Sequence, residues 1–265
     1  MSKPRIVSFL PAATEMVFAL GAGDQLVGIS HECDFPPQAK GKPAVVRPAL
    51  DLQSMTLREI DVAVAEQIRS GRTLLISGGT ATGKTTVLRA LATAIPEEQR
   101  IVVIEDTSEL HLQKPNLLSV ECQTDTFKAS VTFDDLLKSA LRWRPDRIIL
   151  GEVRGIEART LLDSLNTGHT GSLATIHANS AAKALRRFAN LVLRSHAQAT
   201  FEDIEAEIGE AVDYVVHVER EPGRRVVREV LQIVDYDRRN QQFKLEAVYK
   251  ADSTVDPNSN PIGKD

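Results

Sequence analysis

Short apolar runs, closed by glycine or polar residues and separated by stretches of helical periodicity, set the reading of this chain. Arg5 to Leu10 has the pattern of a short strand, Ala13 to Leu20 that of a helix, and Leu26 to Ser30 that of a second strand. A loop follows, His31-Glu32-Cys33-Asp34-Phe35-Pro36-Pro37. The periodicity breaks between Pro48 and Met55, where Pro, Asp and Gln intervene, and a helix restarts near Thr56. Beyond it the apolar runs become continuous, as in the buried strands of a parallel sheet: Thr73 to Ser77, Ile101 to Ile104, Arg147 to Gly151 and Leu173 to Ile176.

Helical patterns fill the intervals. Thr86 to Leu91 is one. Thr132-Phe133-Asp134-Asp135 has the form of a capping box and opens a helix that places Phe133, Leu136, Leu137, Ala140 and Leu141 on one face and stops at Pro145. Leu185 to Leu193 and Phe201 to Val212 read as helices, the second acidic along its exposed face. Tyr214 to Val218, Val226 to Val234 and Phe243 to Val248 then predict an antiparallel meander, turning at Glu221-Pro222-Gly223 and Arg238-Arg239-Asn240. Residues 251–265 are polar, contain two prolines and are expected to be disordered. The whole predicts an α/β chain in three parts: 1–52, 56–249 and a 250–265 tail.

Composition narrows this little. With 265 residues and 42% apolar content the chain can hold one medium domain and an appendage. A net charge of −4 argues against coating nucleic acid, and no direct nucleic-acid binding is expected. Cys33 and Cys122 lie far apart without a CxxC spacing, which suggests neither a zinc site nor a disulfide framework; Cys122, after Val120-Glu121 in a strand-like run, reads as a small buried hydrophobe. Lys3 and Arg5 before Ile6 to Leu20 mimic a secretory signal, but Pro11, Thr14 and Glu15 interrupt its apolar stretch. No other segment approaches the length of a membrane span, so a cytoplasmic protein is the expectation. The polar run from His31 to Asp34 holds three metal-ligand types, yet neighbours in an extended segment point to opposite faces, which favours a plain loop.

The chemistry concentrates after the first continuous apolar run. Gly78-Gly79-Thr80-Ala81-Thr82-Gly83-Lys84-Thr85, followed by Thr86, is a phosphate-binding loop in its required strand–loop–helix setting. Gly78 and Gly83 let successive N–H groups turn inward around a phosphate, and the positive end of the next helix adds to that field. Lys84 supplies a charge for the β- and γ-phosphates and Thr85 a hydroxyl for Mg²⁺. Ala81, where a further glycine is common, is tolerable if it keeps a negative φ. Glu105 and Asp106 end one strand, and Glu152 ends the next, where it can polarise water. The plainer reading of Glu105-Asp106 is strand-end capping. His177 ends the strand after that, placed either to sense a γ-phosphate or to serve as an ordinary loop histidine.

Two resemblances follow from these stretches. Ile6 to Glu15, Leu26 to Asp34 and Gly41-Lys42-Pro43 resemble the opening of cobalamin- and siderophore-type substrate-binding proteins of ABC transporters, with most of the two lobes missing. The phosphate loop, Arg100 to Leu110, Leu141 to Gly155 and Asn166 to Ser180 resemble, in order, the nucleotide-binding domain of type II/type IV secretion ATPases, especially the TrbB-type conjugal-transfer branch. That resemblance implies a RecA-like P-loop NTPase domain with C-terminal antiparallel strands, preceded by a small truncated α/β segment. It implies ATP and Mg²⁺ as cofactors, a homo-hexamer, and partners in an inner-membrane secretion or conjugation complex. Glu105 falls in the family's acidic box, Glu152 in its Walker B element and His177 in its histidine box. The family's own amino-terminal domain, which can lend arginines to the nucleotide, is replaced here. Arg142, Arg144 and Arg154 are the substitutes within the domain, or else partners of sheet-edge carboxylates. Nucleotide binding with little turnover, and a corrinoid- or siderophore-binding module, are the alternative readings.

Overall fold

An apolar run without polar alternation needs cover on both faces, and the computed structural model shows how each run obtains it. It describes residues 5–8, 11–30, 33, 35–46, 64–123, 130–195, 199–221 and 224–251. The chain divides into two units, Met1–Asp51 and Leu52–Asp265. The metal-ligand types His31, Glu32 and Asp34, the junction near 48–55, the expected helix start near Thr56 and the 252–265 tail lie outside the described residues.

The first unit holds β1 (Ile6–Val7), α1 (Pro11–Ala19), β2 (Leu26–Ser30) and β3 (Ala44–Val46), the strands parallel in the order β1-β2-β3. Its core is small: Leu26, Ile29 and Cys33, with Ile6, Val17 and Phe18 packed against them. Thr14 Oγ1 sits 2.8 Å from Ser8 Oγ and 3.1 Å from Cys33 Sγ, which pins α1 to the sheet.

The second unit is built on eight strands: β4 (Leu74–Gly78), β5 (Ile101–Glu105), β6 (Leu117–Glu121), β7 (Arg147–Val153), β8 (Leu173–His177), β9 (Tyr214–Glu221), β10 (Arg224–Asp237) and β11 (Gln242–Lys250). Their order is β11-β10-β9-β4-β8-β7-β5-β6. From β9 to β6 all neighbours are parallel; β10 and β11 add antiparallel hairpins at one edge. Side chains alternate between two cores. Leu75, Val102, Ile104, Leu150, Ala174 and Val215 meet α4 (Phe133–Ala140), α5 (Glu157–Asn166), α6 (Ala181–Ser195) and α7 (Phe201–Ala211). Leu74, Ile76, Ile101, Val103, Ile149 and Val216 meet α2 (Ala65–Arg69) and α3 (Lys84–Ala92). Each such valine, leucine or isoleucine contributes about 1.5–3 kcal/mol by leaving water.

The capping box forms as the sequence predicts, with Asp135 N–H donating to Thr132 Oγ1 at 3.2 Å and Thr132 N–H to Asp135 Oδ2 at 3.0 Å. The strand-like run at Val120-Glu121 is the end of β6, which begins at Leu117, and helix α5 is an addition to the expected elements. Helix α6 starts at Ala181, ahead of its first leucine, because Ser180 Oγ caps the Lys183 N–H at 3.2 Å. Cys122 is only partly buried, packed against the core from the end of β6.

At the opposite edge of the sheet from the phosphate loop, a buried cation ties helix α2 to the loop before β5. Arg147 is 3% exposed; its Nε donates to Gln99 Oε1 at 2.7 Å and its Nη2 to the Ile68 carbonyl at 3.1 Å. Gly171, at φ +73°, leaves room for it: a β-carbon there would stand 1.2 Å from Arg147 Nη1. Gly171→Ala should therefore cost about 2–4 kcal/mol in a denaturant titration, since it combines backbone strain with overpacking. Gly168→Ala, at φ +105° but facing open space, should cost about 1–3 kcal/mol from backbone strain alone and less than Gly171→Ala.

Candidate functional site

Strand β4 is buried along its length and delivers Gly78 to the loop. A β-carbon on Gly78 would lie 2.5 Å from both Thr82 Oγ1 and the Val218 carbonyl, so the loop closes tightly over the strand end. Gly83, at φ +95°, is the N-cap of α3. Ala81 corrects an expectation: its φ is +58°, not negative. Turning the loop's N–H groups to one side requires that left-handed angle, and an L-residue there gives up roughly 1–2 kcal/mol. The Gly79 carbonyl accepts from Lys84 Nζ at 2.8 Å and from Thr82 Oγ1 at 3.0 Å. Thr80 is exposed at the tip, while Thr85 and Thr86 are half-buried in the first turn of α3.

Two neighbouring strands bring the rest. Gly78 pairs with His177 at the end of β8. On the far side of β8, β7 carries one residue too many between Leu150 and Val153 for the two-residue step from Ala174 to Ile176. This bulge at Gly151-Glu152 re-aims the carboxylate and lets the strand run on to Val153. Thr175 Oγ1 donates to the Gly151 carbonyl at 2.5 Å, so the bulge stays satisfied. Lys84 Nζ stands 3.4 Å from His177 Nδ1, and His177 Nε2 stands 3.4 Å from Glu152 Oε1.

Electrostatics assigns the protons. Burial, then the Lys84 ammonium, push the His177 imidazole below its ordinary pKa, against the pull of Glu152. The ring is neutral at neutral pH. Nδ1, facing a donor, carries the lone pair, and Nε2–H points at the carboxylate. Burial likewise lowers the Lys84 pKa, and Glu152 opposes it.

Glu105 is brought to the same edge but faces its own loop. It is 3% exposed; Oε1 accepts the N–H groups of Glu109 and Leu110, both at 3.1 Å, and Oε2 has no partner among the described residues. Burial raises its pKa in spite of those two donors. Gly151 gives it space, a β-carbon there lying 3.3 Å from Glu105 Cγ. Arg154 turns elsewhere, to Asp106 at 3.0 Å and over the Phe133 ring at 5.2 Å. The geometry thus joins the loop, Lys84, His177 and Glu152, sets Glu105 beside them and ties Arg154 to a carboxylate.

A groove of about 800 Å³ opens from Gly79, Thr80 and His177 along α6, where Lys183, Arg186, Arg187 and Arg194 line it. Reading α6 from its leucines overlooked these cations. Their signal is a basic stripe at helical spacing directly after His177. No group of three or more His, Cys, Asp or Glu that could hold a metal by itself occurs among the described residues. Nor is any described helix long and apolar enough to cross a membrane.

Residues 42–252 match a family model described as type II/IV secretion system protein. The chain is 43% identical over 197 residues to the conjugal transfer protein TrbB of Rhizobium radiobacter, covering 73% of this chain and 58% of that protein. It is 38% identical over 168 residues to the type IV secretion system protein VirB11 of Bartonella quintana, covering 62% of this chain and 47% of the relative. Its fold matches the VirB11 ATPase of the Brucella suis type IV secretion system, solved in complex with sulphate, at a TM-score of 0.59 and 32% identity, over 71% of this chain and 60% of that one. The sheet is accordingly of the RecA-like P-loop class. The chain spans about half the length of the curated relatives it matches.

The raised pKa of Glu105 gives a stability test. Between the ordinary carboxylate pKa and the raised one, the folded chain holds more protons than the unfolded chain, so stability falls as pH rises through that window. At a pH above the raised pKa the burial penalty on the ionised carboxylate is felt in full. Glu105→Gln keeps an acceptor for the two N–H groups and should melt above wild type at that pH. The gap should close as the pH is lowered into the ordinary carboxylate range, as followed by circular dichroism.

Proposed function

Because the chain belongs to the type II/IV secretion system protein family, we propose that it binds Mg²⁺·ATP and hydrolyses it to drive a conjugation or type IV secretion machine. One observation carries this reading: three adjacent parallel strands, β4, β8 and β7, bring a phosphate loop, a neutral histidine and a carboxylate to one edge. Open α/β sheets take their ligands at that edge.

The loop amides from Gly78 to Gly83 and the ammonium of Lys84 grip the phosphates, Lys84 exchanging the Gly79 carbonyl for a phosphate oxygen. Thr85 and the unpartnered Oε2 of Glu105 are the groups that would hold Mg²⁺. When bound, Mg²⁺ neutralises charge on the β- and γ-oxygens. Glu152 orients and polarises the attacking water, and His177, between it and Lys84, couples the γ-phosphate to the carboxylate. Arg154 serves from the Asp106 pair, at the rim. The working form in this reading is a homo-hexamer docked to an inner-membrane complex, cytoplasmic or peripheral. Residues 1–52 act as an appended substrate-binding-protein fragment, with 56–249 as the engine and 250–265 as a tail.

Glu152→Gln should leave Mg²⁺·ATP affinity within about twofold, because the carboxylate acts on water rather than on phosphate, and lower phosphate release by ~10²–10⁴. Titration calorimetry and a phosphate-release assay on the same preparation check both. Unchanged turnover in the variant would sink the assignment. Tight binding without turnover in the wild type would favour the nucleotide-binding reading instead.

A further inference from the structure

The hairpin of β9 and β10 carries charge that the fold does not neutralise. Strand β4 ends at Gly78, paired with Val218, whereas β9 runs on to Glu221 and β10 returns from Arg224. The extra residues overhang the phosphate loop. They sort their charges by face. On one face Arg224 pairs with Glu221 at 2.7 Å and Arg228 with Glu219 at 2.8 Å. On the other face Arg220 and Arg225 stand directly opposite each other across the ladder, both exposed, and neither meets a carboxylate among the described residues.

Arg225 is the one that reaches the loop. Its Cδ lies 2.8 Å, its Nε 3.5 Å and its Nη1 3.8 Å from the point where a β-carbon on Gly83 would stand. Two features make this placement unfavourable in the free protein. Like charges directly opposed weaken a strand pair. A cation beside a helix N-terminus is repelled by the helix dipole. An anion between the arginines and the loop would relieve both.

Topology says which part of the anion. His177 and Glu152 reach the loop from β8 and β7, on one side of β4; the hairpin flanks β4 on the other. Water attacks on the Glu152 side in the function proposed above, on which this step rests, so the γ-phosphate lies there and the nucleoside end lies toward the hairpin. The geometry points to Arg225, with Arg220 opposite it, as a clamp on the α-phosphate and ribose end of a bound nucleoside di- or triphosphate. The clamp does not touch the γ-phosphate and so grips ADP and ATP alike.

The test measures Mg²⁺·ADP and Mg²⁺·ATP affinities by calorimetry for the wild type, Arg225→Gln, Arg225→Lys and Lys84→Ala, at low and high KCl. Arg225→Gln should weaken both nucleotides by about tenfold, the scale of one charge-assisted contact, and flatten the salt dependence. Arg225→Lys should fall between, and ligand-free Arg225→Gln should melt no lower than wild type, since it removes an unfavourably placed charge. Equal affinity in Arg225→Gln and wild type, while Lys84→Ala loses binding, overturns the clamp and leaves the site intact. A loss confined to ATP overturns it too, by moving Arg225 to the γ-phosphate. A wild type that binds neither nucleotide removes the site reading itself.

Discussion

A neutral imidazole separates a cation from an anion at the loop edge of the sheet. Were Lys84 and Glu152 in direct contact in so sheltered a place, their attraction would commit both, and an arriving phosphate would have to break the pair. With His177 between them, 3.4 Å from each, the ammonium keeps its capacity for an anion and the carboxylate its capacity for water. The ring can serve only while unprotonated, and the same burial that shelters the site keeps it so. The order of the strands exists to maintain this spacing: β8 lies between β4 and β7, as its histidine lies between their charges.

Much of this was legible beforehand, for a definite reason. Parallel strands are apolar on both faces and short, so their ends are marked sharply, and the sheet rule then places the residues after them. Gly78 to Lys84, Glu105, Glu152 and His177 could be located in that way. Other features escaped because their causes are not local. The bulge at Gly151-Glu152 depends on the step between Ala174 and Ile176 on another strand. Positive φ at Ala81 depends on where the loop's amides must point, which its neighbours in sequence do not declare. Strand β6 showed only its Val120-Glu121 end, because half-buried and exposed positions at the sheet edge make a weak pattern beside that of the central strands. Helix α6 hid its cations behind its leucines, since a helix is read most readily from the face it buries.

Both ends of the sheet hold groups at a cost. At the loop edge, strain and uncompensated charge accumulate: a left-handed alanine, an acid with a bare oxygen, opposed arginines. At the other edge Arg147 is buried and tied to Gln99 and to the Ile68 carbonyl, with Gly171 shaped around it. Its Nη1 has no partner among the described residues and burial lowers its pKa, so this cation too is held at a cost, by two hydrogen bonds rather than by a salt bridge.

The contact between Gly78 and the Val218 carbonyl has a consequence for biogenesis. The loop sits in the first third of the unit, yet one of its walls is a strand made near the chain's end. As the nascent polypeptide leaves the ribosome, Lys84 emerges more than a hundred residues before β9 can dock against β4. Until then the central strand has an open flank, and the loop lacks the wall that the Val218 carbonyl gives it.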